Sequence, residues 1–165
     1  EQQTIAGIVQ SVRTIAGKRG TFAVVALSDG QTTMDVLVFA KAYENYKNML
    51  KPDEMLIFTG KGRKDERGGG MSFVCDKVIT IEEMRVQKGA TLMLEIAEGQ
   101  DLGVIRDVLI TGQGNGNSGI PCEVSICSSN GVKAEVFLKN NYVPTDHLLN
   151  QIKNLEGVVV AKYMY

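Results

Sequence analysis

The order of the extended segments in the first half of the sequence constrains the fold more than any other feature. An Asp-Gly pair at 29–30 predicts a hairpin between the second and third segments. Tyr43, Tyr46 and Leu50 recur at spacings of three and four, which predicts one amphipathic helix at 40–50. Strands are predicted at 4–15, 21–27, 32–39, 54–63 and 71–81. The resulting order is β-β-β-α-β-β.

This order is typical of the OB-fold, a small Greek-key barrel that binds single-stranded nucleic acid across its second and third strands and the adjacent loops. An SH3-like barrel is the alternative, but it usually lacks a helix of this length between the third and fourth strands. We therefore predict an OB-fold barrel over residues 1–83.

The second half of the chain has a different order of elements. Asp101 is placed to cap one helix, and Gly157 is placed to end another. Strands are predicted at 91–97, 120–127, 132–138 and 158–165, and helices at 101–110 and 145–156. The order β-α-β-β-α-β is that of the split βαβ, or ferredoxin-like, motif. The predicted fold class is α+β, with a linker at 84–90 and a second domain over 91–165.

Composition excludes several classes of function. The apolar fraction of 44% is sufficient for a packed core, and the apolar runs are far shorter than the roughly 20 residues of a membrane span. Three cysteines without a CxxC pair indicate a reducing compartment. With a net charge of −1, nucleic-acid binding must depend on a local basic patch. The absence of an initiator methionine at Glu1 suggests a fragment of a longer protein.

Two features suggest an enzyme but lack the required context. GNGNSG at 114–119 matches the glycine pattern of dinucleotide sites, yet a predicted helix precedes it and a strand follows, which is the reverse of the required order. His147 is the single histidine, and Cys122 and Cys127 lie an odd number of residues apart on one strand, so neither suggests a metal site. We predict no catalysis, cofactor or metal; a nucleotide enzyme using the glycine-rich loop is an alternative.

Two basic clusters remain as candidate binding sites. The first surrounds the glycine-bounded turn 17–20, and the second, which also contains Arg67, alternates with Asp65 and Glu66. Lysine and arginine side chains of this kind pair with phosphates and release counterions. The alternative is that these residues belong to a solvated hairpin with no binding role. The predicted nucleic-acid-binding residues are Arg13, Lys18, Arg19, Lys61, Arg63 and Lys64. Candidates for stacking on bases, each equally compatible with a core position, are Phe22, Phe58 and Phe73.

Several sequence runs resemble the C-terminal region of the alpha subunit of bacterial DNA polymerase III. The resemblance is clear over about the first 80 residues and fainter at SGIP (118–121) and in the segment 146–152. The runs in the first half are AGIV (6–9), GKRG (17–20), VVALSDG (24–30), DVLVFAKAYENYKNML (35–50) and MLIFTGKG (55–62).

This resemblance implies a non-catalytic part of a cytoplasmic bacterial replicase. The barrel would contact single-stranded template DNA through Arg13, Lys18 and Arg19. The terminal domain would bind the tau subunit of the clamp loader within the polymerase holoenzyme, and Tyr163 and Tyr165 are the predicted docking residues. No membrane and no small-molecule substrate is expected. The alternative is a free-standing OB-fold module that binds RNA or tRNA.

Overall fold

The computed structural model describes residues 1–64, 71–115 and 118–165 of the chain. They form two compact units, Glu1–Ile81 and Glu82–Tyr165. No helix in the described part of the chain is long and apolar enough to cross a membrane.

The first unit has the predicted element order. Its elements are β1 (Gln3–Gly17), β2 (Gly20–Ser28), β3 (Thr33–Val38), α1 (Ala40–Tyr46), β4 (Met55–Lys64) and β5 (Met71–Thr80). The described strands close into a barrel in the order β1-β2-β3-β5-β4, with β4 pairing back onto β1. The predicted OB-fold barrel is confirmed.

Side-chain alternation along the strands decides which residues fill the barrel. In β2, Ala23, Val25 and Leu27 are buried in the core, so Phe22 and Val24 point to the outer face. α1 ends at Tyr46, four residues before its predicted end, and packs Ala42 against the barrel core. The core of this unit contains Val9, Ala23, Val25, Leu27, Val36, Val38, Ala42, Leu50, Leu56, Phe58, Phe73, Cys75 and Val78.

The elements of the second unit are α2 (Ile81–Gln87), β6 (Thr91–Ala97), α3 (Leu102–Thr111), β7 (Cys122–Cys127), β8 (Lys133–Phe137), α4 (Asp146–Lys153) and β9 (Val158–Met164). From β6 onward this unit has the predicted element order, and a helix that was not predicted, α2, precedes it. Asp101 accepts a hydrogen bond from the Gly103 N–H at the start of α3, as its predicted capping role requires. Residues of α3 and α4 share one apolar core with one face of the sheet.

The strand order of this sheet differs from the ferredoxin-like prediction. Among the described residues it is β8-β7-β6-β9, with β6 and β7 adjacent and parallel. A split βαβ would insert the returning hairpin strand between these two strands, whereas here β8 lies at the sheet edge. The ferredoxin-like arrangement is therefore wrong. β7 buries Cys122 and Val124 inside the sheet, while every residue of β8 is exposed.

The segment predicted as a linker at 84–90 contains most of helix α2. The helix has no buried residue and is held instead by Arg85, whose guanidinium donates to the Pro144 carbonyl and to the Asp146 carboxylate, each at 2.6 Å. The same guanidinium lies 4.6 Å from the centroid of the Tyr163 ring. The segment predicted as a linker therefore contains helical residues, and its Arg85 is anchored by polar contacts within the second unit.

Candidate nucleic-acid interface

The tip of the β1–β2 hairpin carries the first predicted basic cluster. Gly17 pairs with Gly20, which leaves Lys18 and Arg19 as the two turn residues. Gly20 has a φ of +108°, a conformation that side chains rarely adopt, so glycine is required there. A Cβ atom at Gly20 would lie 3.1 Å from that of Ala40, which places the tip against the start of α1. The turn thus presents two adjacent cations beside α1.

An open pocket of about 520 Å³ lies between this hairpin and the start of α1. Its floor is aromatic, because the Phe22 and Phe39 rings lie with their centroids 5.9 Å apart and their planes inclined by 43°. The pocket is lined by Gly17, Lys18, Arg19, Gly20, Phe22, Phe39, Ala40 and Lys41. The site therefore combines an apolar aromatic surface with three cationic side chains.

The electrostatic environment of the pocket favours an anion. None of Lys18, Arg19 and Lys41 lies within 4.0 Å of a carboxylate in the described parts of the chain. Arg13 differs from them, because its guanidinium lies 3.8 Å from the Asp35 carboxylate. Both of these side chains are more than half exposed, so water screens the pair and Arg13 remains accessible to a ligand.

The second basic cluster lies elsewhere on the barrel. Lys61, Arg63 and Lys64 are exposed on β4 and do not line the pocket. The strand registers place Arg13, Val24, Leu37, Val74 and Lys61 in one row around the barrel. Lys61 is thus at the far end of the row that begins with Arg13. Arg67, Asp65 and Glu66 lie outside the described residues.

The aromatic candidates separate clearly by burial. Phe58 and Phe73 are 0% and 2% exposed in the barrel core and cannot reach a base. Phe22 lies on the outer face, next to Phe39, which is 44% exposed. Sequence reasoning missed Phe39 and Lys41. The sequence did contain a signal for Phe39. Val36 and Val38 face inward along β3, so alternation places Phe39 on the outer face, and the chain turns into α1 directly after it.

The two predicted docking tyrosines of the second unit differ in environment. The Tyr163 hydroxyl donates to the Thr145 carbonyl at 2.7 Å, and burial raises the pKa of Tyr163 to about 12. Tyr165, at the end of the chain, is 75% exposed. An apolar groove of about 420 Å³ also lies between α3 and the sheet, and Ile110 and Val136 on its walls are each about half exposed.

The enzyme-like features have structural explanations. Gly114 and Gly119 lie in the connection from α3 to β7, where the Gly114 N–H donates to the Asn141 carbonyl at 2.9 Å. Gly116 of the same motif lies outside the described residues. His147 is in the first turn of α4, and the described residues contain no cluster of side chains suited to a metal ion.

Comparison with known proteins agrees with this barrel. The family described as OB-fold nucleic acid binding domain matches residues 3–86, and the chain belongs to that family.

The similarity extends through both units in one group of curated relatives. The chain is 30% identical over 156 residues to DNA polymerase III subunit alpha of Neisseria meningitidis, which covers 93% of this chain and 14% of that subunit. The subunit of the same name in Escherichia coli is 29% identical over 98 residues, covering 59% of this chain and 8% of the subunit. The chain thus spans about a seventh of the length of the Neisseria meningitidis subunit, and its match to the Escherichia coli subunit covers less.

Solved structures give weaker matches. RecG bound to a three-way DNA junction aligns with a TM-score of 0.44 and 21% identity, covering 53% of this chain and 12% of that chain. A mitochondrial single-stranded DNA binding protein from S. cerevisiae aligns with a TM-score of 0.40 and 12% identity, covering 48% and 92% respectively.

Proposed function

We propose that this chain is a non-catalytic region of a bacterial replicative DNA polymerase, acting in the cytoplasm, and that its barrel binds single-stranded DNA. The observation that carries the proposal is the pocket in which Lys18, Arg19 and Lys41 surround an exposed aromatic surface, with no described carboxylate in ion-pair range. Cations at such a site neutralise phosphates, and the ring offers a face for a base. Similarity to DNA polymerase III alpha subunits over 93% of the chain supports the replicative context.

The salt dependence of binding tests the proposal. Contacts from Arg13, Lys18 and Arg19 to about three phosphates predict that log affinity falls with log salt with a slope of about −2. The assay is the fluorescence anisotropy of a labelled oligothymidylate, measured across a salt series with the full chain. Replacing all three residues with glutamine should flatten the slope, leaving at most the roughly −0.7 of a single phosphate contact at Lys41.

A matched control removes the same charge from the second unit. Lys139, Lys153 and Lys162 are exposed residues of the second unit, and replacing them with glutamine should leave the slope unchanged. If both triple variants retain the wild-type slope, the DNA site lies elsewhere.

The choice between DNA and RNA needs its own measurement. A dedicated RNA reader depends on contacts to the 2′-hydroxyl, so it should prefer RNA to DNA of the same sequence. We expect equal or tighter binding to DNA. A clear preference for RNA, at equal length and salt, would favour the alternative of an RNA- or tRNA-binding module.

For the second unit, we propose docking to the tau subunit of the clamp loader, so that the chain joins the polymerase holoenzyme at the replication fork. Exposed apolar and aromatic side chains are the usual anchors of such interfaces, and Tyr165 and Ile110 are exposed here. Replacing Tyr165 with serine or Ile110 with aspartate should weaken capture of purified tau by the full chain. Unchanged capture by both variants would place the docking surface elsewhere or refute the partner.

A further inference from the structure

One exposed aromatic side chain in the barrel unit has no role in the core. Phe39 is 44% exposed, whereas the core phenylalanines Phe58 and Phe73 are almost fully buried. Phe39 contacts Phe22 with the two ring planes tilted by 43°, and their centroid separation of 5.9 Å is in the usual range for aromatic pairs. A Cβ atom at Gly17 would lie 3.5 Å from the Phe22 ring, so this ring lies close to the hairpin backbone. Phe39 is therefore a supported ring with one side open to solvent.

The surroundings of this ring specify the chemistry of a ligand. Lys18 and Arg19 of the hairpin and Lys41 of α1 line the same pocket as the two rings, so the aromatic surface is flanked by cations from two elements. An apolar ring surface flanked by cations matches a flat heterocycle with phosphates attached on either side. A nucleotide within a single strand has that composition, because one base is linked to a phosphate at each end.

We propose that Phe39, supported by Phe22, is a stacking platform for one unpaired base, and that Lys18, Arg19 and Lys41 bind the phosphates that flank that base. This inference rests on the proposed single-strand binding and specifies its central contact. A base in a duplex is already stacked on its neighbours, so the platform selects single strands. It tolerates any sequence, because every base has a π-face.

Replacing Phe39 with leucine removes the aromatic face and keeps an apolar side chain. The affinity of the full chain for oligothymidylate should fall by about 5- to 150-fold, which is the range for the loss of one stacked base. The slope against salt should stay at its wild-type value, because no charge is lost. Phe39→Trp should retain most of the affinity. Lys41→Gln should instead reduce the steepness of the slope by about 0.7.

Two further measurements test the same contact, and the first of them needs only the wild-type chain. A 2-aminopurine base in the oligonucleotide should lose fluorescence on binding to the wild-type chain, since stacking quenches it. An oligonucleotide of abasic residues should bind the wild-type chain and Phe39→Leu equally. Phe137→Leu is the matched control: Phe137 is 70% exposed and belongs to the second unit, so its replacement should change nothing.

The possible failures are distinguishable. If the wild-type chain binds single strands with a slope near −2 but Phe39→Leu binds equally well and 2-aminopurine is not quenched, the stacking platform is refuted and the proposed function stands. If the wild-type chain binds no single strand at low salt, the proposed function fails and the platform fails with it.

Discussion

Asp35 should weaken the interaction of the barrel with DNA, because it competes with phosphate for Arg13. The two charged groups are 3.8 Å apart on the outer face of β1 and β3. In water, charges at that distance interact by about 1 kcal/mol, and exposed pairs contribute roughly 0.2–1 kcal/mol after side-chain ordering. A phosphate that binds Arg13 must displace this partner, so Asp35→Asn should release that amount of binding free energy.

The expected gain is a tightening of about 1.4- to 5-fold at low salt that disappears as salt screens the charges. Anisotropy titrations of oligothymidylate should be made with the wild type, Asp35→Asn, Arg13→Gln and the double variant. Because the gain acts through Arg13, at least half of it should be lost when Arg13 is already glutamine. The free energy of unfolding of Asp35→Asn should differ from that of the wild type by less than about 0.5 kcal/mol, as is usual for exposed positions.

Asp107→Asn provides the matched control. Asp107 forms an exposed pair with Arg106 at 3.0 Å, and both residues belong to the second unit. Its replacement removes the same charge from the chain and should leave DNA affinity unchanged. The reasoning is refuted if Asp35→Asn binds more weakly than the wild type, or if its gain is equally large in the Arg13→Gln background.

Three further predictions concern stability and titration. Burial raises the pKa of Cys75 and of Cys122 to about 12, so in the folded chain at pH 8 these thiols should not react with dithiobis-nitrobenzoate, while all three cysteines react in urea. Fast native reaction of more thiols than Cys127 would contradict this. Tyr163 has a folded-state pKa of about 12 against an ordinary 10.0, so its stabilising contribution is complete below pH 10 and is lost as pH rises towards 12. Tyr163→Phe should remove the last-titrating tyrosine from an absorbance titration, and an unchanged curve would count against the assignment. Thr145 caps α4 through its side-chain oxygen, so Thr145→Ala should lower the free energy of unfolding by about 1 kcal/mol in urea titrations, and Thr145→Ser should restore most of the loss.

The barrel could be predicted from sequence because its signals are local. The Asp-Gly hairpin, the helix that stops before Pro52 and the alternation within each strand are all properties of short segments. The hairpin forms as expected, with the Asp29 carboxylate accepting from the backbone N–H groups of Thr32 and Gln31, which lowers the pKa of Asp29. Together these signals leave few possible arrangements of the strands in a small closed barrel.

The sheet of the second unit could not be predicted in the same way, because strand neighbours are decided by contacts distant in sequence. The element order β-α-β-β-α-β is compatible with either hairpin strand lying beside β6. The choice falls on β7 because Cys122 and Val124 pair with Leu92 and Leu94 in the buried centre of the sheet.

The candidate site was predicted only in part, for a similar reason. Charge and glycine spacing identify Lys18 and Arg19, but Lys41 lies 22 residues after Arg19 and reaches the pocket only because the hairpin tip lies against α1. Likewise, three phenylalanines were equivalent in the sequence. Their division into core and surface depends on which face of the barrel each strand position occupies.

The small number of proposed phosphate contacts determines the conditions under which the barrel binds DNA. A slope of about −2 means that a fourfold rise in salt lowers the affinity roughly 16-fold. The net charge of −1 supplies no general attraction to DNA that would offset this loss. A barrel of this kind is therefore occupied at physiological salt mainly when a second attachment holds it near the strand, since tethering gives an effective concentration of up to the millimolar range. The Neisseria meningitidis subunit is about seven times longer than this chain, which covers 14% of it. Under the proposed function, the remainder of such a polymerase supplies that attachment, and the weak barrel can release each nucleotide as the strand advances.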